Sequence, residues 1–239
     1  MRVIKTSAFL PILLALAIPT QAAGILRITE AMTNGDIADW FEVTNVGDAA
    51  VNISGYKVDD SSYAFGTALA LNGITSITPG ESVVFLEGSS TTVTTFKTNW
   101  ALGSQTQVGY YAGSGIGLSS GGDGVTLFDA AGSELSGATN SSYLAGRIRV
   151  SFGAASTSYS FRWSYTTTGE FSGSMETSSF GDIQGAFTSA NGCTGSPGRV
   201  VRSAALQFTS QPPTYAKVGS ALSYTFNYQT SNPSEVASY

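Results

Sequence analysis

The sequence predicts an all-β protein built from two packed sheets or a closed barrel, and three observations carry that expectation. Short segments of apolar and polar alternation recur along the chain, the mark of strands with one buried face. No stretch of a dozen residues after the N-terminal region keeps a helical apolar period without Gly, Pro or Asn interrupting it, so any helices are short. Charged residues make up only 11% of the chain while 28 residues are Gly, a balance suited to β-branched and aromatic strands joined by many tight turns.

The N-terminus has a different character. A basic opening, Met1 to Lys5, precedes an apolar run from Ala8 through Ile18 and then the small-residue segment Thr20-Gln-Ala-Ala23. This three-part order predicts a secretory signal peptide over residues 1–22, cleaved after Ala22 or Ala23. The apolar run contains Pro11 and falls short of the roughly 20 residues a membrane-spanning helix needs. Its removal takes away Arg2 and Lys5 and changes the formal charge from −5 to −7. A surface of that sign offers no general attraction to phosphate backbones or anionic lipids. Nucleic acid is therefore an unlikely partner for this segment, and no later segment is apolar enough to span a bilayer.

The strand candidates follow in order. Leu26 and Ile28 alternate with Arg27 and Thr29, Phe41 and Val43 with Trp40, Glu42 and Thr44, and Val51 and Ile53 flank Asn52. Tyr56 and Val58 follow Gly55, and Ser82–Leu86 follows the Pro79-Gly80 turn. Gln107–Tyr111, Val125–Asp129, the set Ile148, Val150 and Phe152, and Ser158–Trp163 complete the series. The segment from Thr166 to Gly192, rich in Ser, Thr and Gly with Phe171, Phe180 and Phe187 dispersed through it, is expected to be a long decorated loop. Ser196-Pro-Gly198 punctuates the chain, and Ala204–Thr209 begins a new strand. The run with Tyr224, Phe226 and Tyr228 on one face then begins a second β domain. That tail holds too few residues for a core of its own, and the expectation is that 239 residues are the N-terminal part of something longer.

Five segments in order resemble the lamin tail domain family in its exported bacterial form: Ile28-Thr-Glu-Ala-Met32, Asp39–Asn45, Val51–Val58, Ile77–Val84 and Gly121–Asp129. From Glu134 to Gly198 the resemblance is looser, though Ser160-Phe-Arg-Trp163 and Gly195-Ser-Pro-Gly198 are similar to the way exported members finish. The resemblance implies an immunoglobulin-like β-sandwich without catalysis of its own, often beside other domains such as extracellular phosphoesterases and nucleases. Leu206 to Tyr239 is similar to the start of bacterial immunoglobulin or cadherin-like repeats, through Pro212-Pro213, Val218-Gly219 and the aromatic alternation. The expected organisation is a signal peptide at 1–22, a lamin-tail-like β-sandwich at 24–200 and an incomplete immunoglobulin-like domain at 204–239.

Chemistry-bearing residues are few. With no histidine and a single cysteine, Cys193, an ordinary zinc or copper site is excluded and no internal disulfide forms; Cys193 is expected to be a packed small residue. The absence of histidine and of a Gly-x-Ser-x-Gly elbow removes serine hydrolase chemistry, and no phosphate-binding loop is present in the sequence. Glu42, Asp59, Asp60, Asp123 and Asp129 are the acids near turns, where capping of backbone N–H groups is the usual role rather than a paired acid and base. Gly121-Gly-Asp-Gly124 resembles a calcium-binding repeat, but Thr126 stands where that repeat has its ligand, so a tight turn is expected. Asp59-Asp60-Ser-Ser62 brings hard oxygens together without fixing a full calcium shell. No cofactor is expected, calcium being the one weak alternative.

Arg147 and Arg149 alternate with Ile148 and Val150, with Arg162, Arg199 and Arg202 as further members of a basic patch, whose expected role is protection of a sheet edge. Asn52-Ile-Ser and Asn140-Ser-Ser match a glycosylation acceptor, relevant only in a eukaryotic secretory route. No catalytic, cofactor or metal residue is nominated. The expected function is that of an exported, non-catalytic module for extracellular or cell-surface interaction with a protein, glycan or surface. The alternatives are an accessory domain of a larger secreted nuclease or phosphoesterase, and a carbohydrate-binding module with Trp40, Trp100, Trp163, Tyr110 or Tyr111 as its stacking face.

Overall fold

The computed structural model describes residues 23–113, 116–133, 149–165, 171–182, 184–200, 207–208 and 228–229. The expected signal peptide at 1–22, Arg147, Arg202, Asn140 and most of the tail block lie outside them.

Two sheets face each other. The larger is built from β1 (Leu26–Met32), β2 (Trp40–Asn45), β7 (Ser82–Glu87), β8 (Val108–Tyr111), β11 (Phe161–Tyr165) and β12 (Phe171–Thr177), in the order β12-β11-β1-β2-β7-β8. The smaller joins β4 (Lys57–Asp59), β5 (Leu69–Ala70), β9 (Asp123–Phe128) and β10 (Arg149–Phe152) in the order β10-β9-β4-β5. Two short antiparallel pairs stand apart from them: β3 (Val51–Asn52) with β6 (Ser76–Ile77), and β13 (Phe187–Thr188) with β14 (Thr194–Gly195). In the tail, β15 (Gln207–Phe208) pairs antiparallel with β16 (Tyr228–Gln229). The molecule is almost all β, consistent with the immunoglobulin-like sandwich expected from the sequence.

Alternation decides which residues meet between the sheets. Ile28, Phe41, Val43, Val83 and Phe85 from the larger sheet pack with Val58, Val125, Leu127 and Val150 from the smaller, all at most 3% exposed. The inward stripe is thus the one legible in the strand pattern.

The outer face of the larger sheet is also covered, by a helix the sequence did not announce. α1 (Ser90–Asn99) carries β7 over to β8, which runs parallel to it, and parallel neighbours require such a crossover. Its composition, with five Thr and one Val in Ser90–Asn99, is unfavourable for helix. Packing compensates: Val93, Phe96 and Trp100 form one stripe over Trp40, Val84 and Leu86, making a second core with Met32 and Cys193. The Trp40 indole meets Phe96 and Trp100 edge to face at 5.8 and 5.9 Å.

The expected long loop at Thr166 to Gly192 is corrected by the structure. Residues 171–177 form β12, paired with β11 through Phe161↔Thr177, Arg162↔Glu176 and Trp163↔Met175. Phe187 and Thr188 form β13. Ser and Thr are tolerated in an edge strand, where one side of the ladder is open and period-two apolar patterning is weak.

Candidate functional site

A row of charged side chains crosses the outer face of the larger sheet. In register across four neighbouring strands stand Glu42 on β2, Glu30 on β1, Arg162 on β11 and Glu176 on β12. Strict alternation from Leu26 and Ile28 would send Glu30 into the apolar core. A bulge prevents this: Ile28 faces Val43 and Glu30 faces Glu42, so Thr29 is an extra residue, and Thr29 and Glu30 both turn outward.

Glu30 and Glu42 are 1% and 0% exposed. Glu30 Oε1 accepts from the Ser160 hydroxyl and from Ser196 N at 2.8 Å, and its Oε2 from Ser196 Oγ at 2.7 Å. Glu42 Oε1 accepts from Thr29 Oγ1 at 2.6 Å, and its Oε2 from Gly198 N at 2.7 Å and Arg199 N at 3.1 Å. Hydroxyls extend the line sideways, with Thr29 bonded to Thr44 and Thr44 to Ser82, and Ser160 to Ser178. Burial lifts Glu30 to about 7 against the hydrogen bonds from Ser160 and Ser196. Burial, and then the neighbouring Glu30, lift Glu42 well above the usual carboxylate range.

The lid on this pair is the segment Thr194 to Arg199. Each backbone N–H of Ser196-Pro-Gly-Arg199 reaches a glutamate, that of Arg199 being shared with the Ser196 carbonyl, and Pro197 has none. Gly195 permits the close approach, since a Cβ there would lie 2.8 Å from Glu30 Oε1 and 2.9 Å from Ser160 Oγ. Gly198 has φ +78°, a conformation that favours glycine. Beside the lid, a cleft of about 440 Å³ is lined by residues including Glu81, Ser82, Thr106 and Arg199.

A smaller acidic group lies at the other end of β7. Asp39 is pushed up to about 7 by burial and then by Glu87, and the buried Tyr111 phenol is raised by burial and by Glu87, Asp39 and Asp123. Tyr111 stands in register with Glu87.

The acids named from the sequence divide. Asp59, Asp60, Asp123 and Asp129 do cap backbone: Asp59 holds Ala64 N, Asp60 holds Ser62 N, and Asp129 holds Ala131 N and Ser133 N. Asp123 joins two loops by accepting from Ser61 N and Ser119 N. Glu42 is the correction, because it sits in mid-strand under the lid rather than at a turn. Sequence reasoning also missed Glu30 and Asp39. The available signal was an acid two residues beyond Ile28, on the face that alternation assigns to the core.

The aromatic stacking face is corrected too. Trp40, Trp100 and Trp163 are at most 1% exposed and Tyr111 is fully buried, while Tyr110 is half-buried. The large apolar side chains exposed among the described residues are Phe180 at 75% and Tyr159 at 41%. They flank the end where β11 starts and β12 finishes. The basic patch is likewise dispersed. Arg149 lies over the Tyr63 ring at 3.8 Å, Arg199 over Phe187 at 4.8 Å, and the buried Arg162 pairs with Asp182 and Glu176.

Asp59, central to the weak calcium alternative, accepts from Ser62 Oγ, Ala64 N and Thr67 Oγ1. Among the described residues, no group of three or more His, Cys, Asp or Glu side chains is arranged to hold a metal ion. Cys193 is buried, its Sγ donating to Asp36 Oδ1 at 3.3 Å. No helix among the described residues is long and apolar enough to cross a membrane.

The family model described as Lamin Tail Domain matches residues 19–142, just over half of the chain. No curated protein matches it.

Proposed function

This chain belongs to the lamin tail domain family, and from that premise we propose that it is an exported, non-catalytic β-sandwich module for interaction with an extracellular protein, glycan or surface. The observation that carries the reading is the closure of the Glu30–Glu42 pair. Buried carboxylates with raised proton affinity are what an acid or base catalyst needs, yet here the chain's own hydroxyls and backbone N–H groups occupy them. A substrate would have to displace Ser196–Arg199 to reach them.

The module extends past the family match, from about 24 to 200, because β10 pairs with β9 and β11 with β1. Without those strands both sheets would lose a neighbour. Residues 1–22 serve as its export signal and 204–239 open a further β domain, in our reading. Phe180 and Tyr159 are the contact residues we favour, since exposed aromatic rings supply much of the energy of interfaces. No cofactor is required.

The test is a screen of the purified protein against immobilised extracellular proteins and neutral polysaccharides, with phosphoester, glycoside and peptide substrates assayed in parallel. Binding that weakens at least tenfold in Phe180→Ala or Tyr159→Ala, without turnover, supports the module. Turnover abolished by Glu30→Gln or Glu42→Gln overturns it.

A further inference from the structure

The lid over the glutamates invites a conformational reading. Glu30 and Glu42 are direct cross-strand partners, so their side chains are close neighbours and like charges there are destabilising. Compensating cations are committed elsewhere. Arg162, next in register beside Glu30, spends its guanidinium on Asp182 at 2.7 Å and Glu176 at 2.6 Å. Arg199, on the lid itself, lies over the Phe187 ring. Arg27, in register with Thr44 along the same strands, donates to the Leu26 carbonyl and has a further partner of its own. Asp182 adds further negative potential at Glu30.

We propose that Ser196–Arg199 is a pH-dependent latch, shut over the sheet while the Glu30–Glu42 pair retains a proton and released when both carboxylates ionise. With a proton on the pair, one carboxyl is neutral and all the donors of the lid remain satisfied. With none, two charges share a water-free site, and lifting the lid rehydrates both. Because the lid is also the path from the sandwich to the residues after Val200, release loosens that junction in mildly alkaline medium and tightens it in acid.

The test is amide hydrogen exchange of the full chain, read residue by residue by NMR between pH 5.5 and 8.5 and corrected for the intrinsic rate. Protection of Ser196, Gly198 and Arg199 should fall about tenfold or more across that range and lie well below that of Val43 and Val84, which exchange only by global opening. Glu42→Gln should keep the lid protected at both ends of the range. A wild-type lid whose protection does not change with pH overturns the proposal, as does a Glu42→Gln lid that keeps the wild-type pH dependence. If Glu42→Gln fails to fold, Glu30→Gln tests the same pair, and the wild-type profile alone still decides.

Discussion

Arg162 Nε donates to Asp182 Oδ2 at 2.7 Å, and the two side chains are 11% and 3% exposed. Asp182 also accepts from Ser179 N, Gln184 N and Ala186 N, so one carboxylate organises the turn that displays Phe180. Breaking a buried ion pair costs about 3–5 kcal/mol, and because Arg162 keeps the half-exposed Glu176 at 2.6 Å the loss should lie toward the lower end. Asp182→Ala is expected to fall in that range by urea denaturation, and to mobilise Phe180 in side-chain relaxation measurements.

Phe41 and Phe180 test burial against exposure. Phe41 is fully buried and stacks on Phe85 at 5.6 Å, so Phe41→Ala should cost about 3–5 kcal/mol. Phe180→Ala should stay within about 0.5 kcal/mol. Equal losses in the two variants would mean that Phe180 packs in solution.

Stability should fall as pH rises from about 4 to above 7. Glu30, Glu42 and Asp39 all bind protons more tightly than ordinary carboxylates. The folded state therefore holds more protons than the unfolded chain in that window. The stabilisation is complete below the unfolded carboxylate range and is lost as pH climbs through the raised values, by up to about 1.4 kcal/mol per pH unit for each of the two buried glutamates and by less for half-buried Asp39, which solvent screens. Melting temperature against pH checks this, and Glu30→Gln should flatten the profile.

Cys193 should resist modification. Its thiol is buried and its proton is held more tightly than usual, by burial and then by Asp36, which disfavours the reactive thiolate. An aromatic disulfide reagent at pH 8 should label it at least a hundredfold more slowly in the native protein than in denaturant.

Calcium should leave stability unchanged. A ligand that binds the native state raises the melting temperature with concentration. Melting curves with millimolar calcium and with chelator are expected to superimpose, and a rise of several degrees with calcium would revive the Asp59-Asp60 loop as its site.

Much of the fold was legible locally. The inward residues of β2, β7 and β9 follow from period-two alternation, and Trp40 and Phe41 were assigned to opposite faces by the same rule. Each packs on its own side, Phe41 between the sheets and Trp40 under α1. The capping acids were legible because an Asx side chain reaches only a few residues along its own loop.

What failed depended on partners distant in sequence. α1 is Thr-rich, so its helicity came from covering Trp40 and Leu86. β12 lacked an apolar stripe and was fixed by pairing with β11. The chain order alone determined a turn-rich β framework, its family and its inward stripe, because these rest on periodicity and short-range turn chemistry. Only the tertiary structure decided that Glu30 leaves the core at a bulge, meets Glu42, and is sealed by residues more than 150 positions away. Burial of a polar group is a property of what closes over it, and no local pattern encodes that.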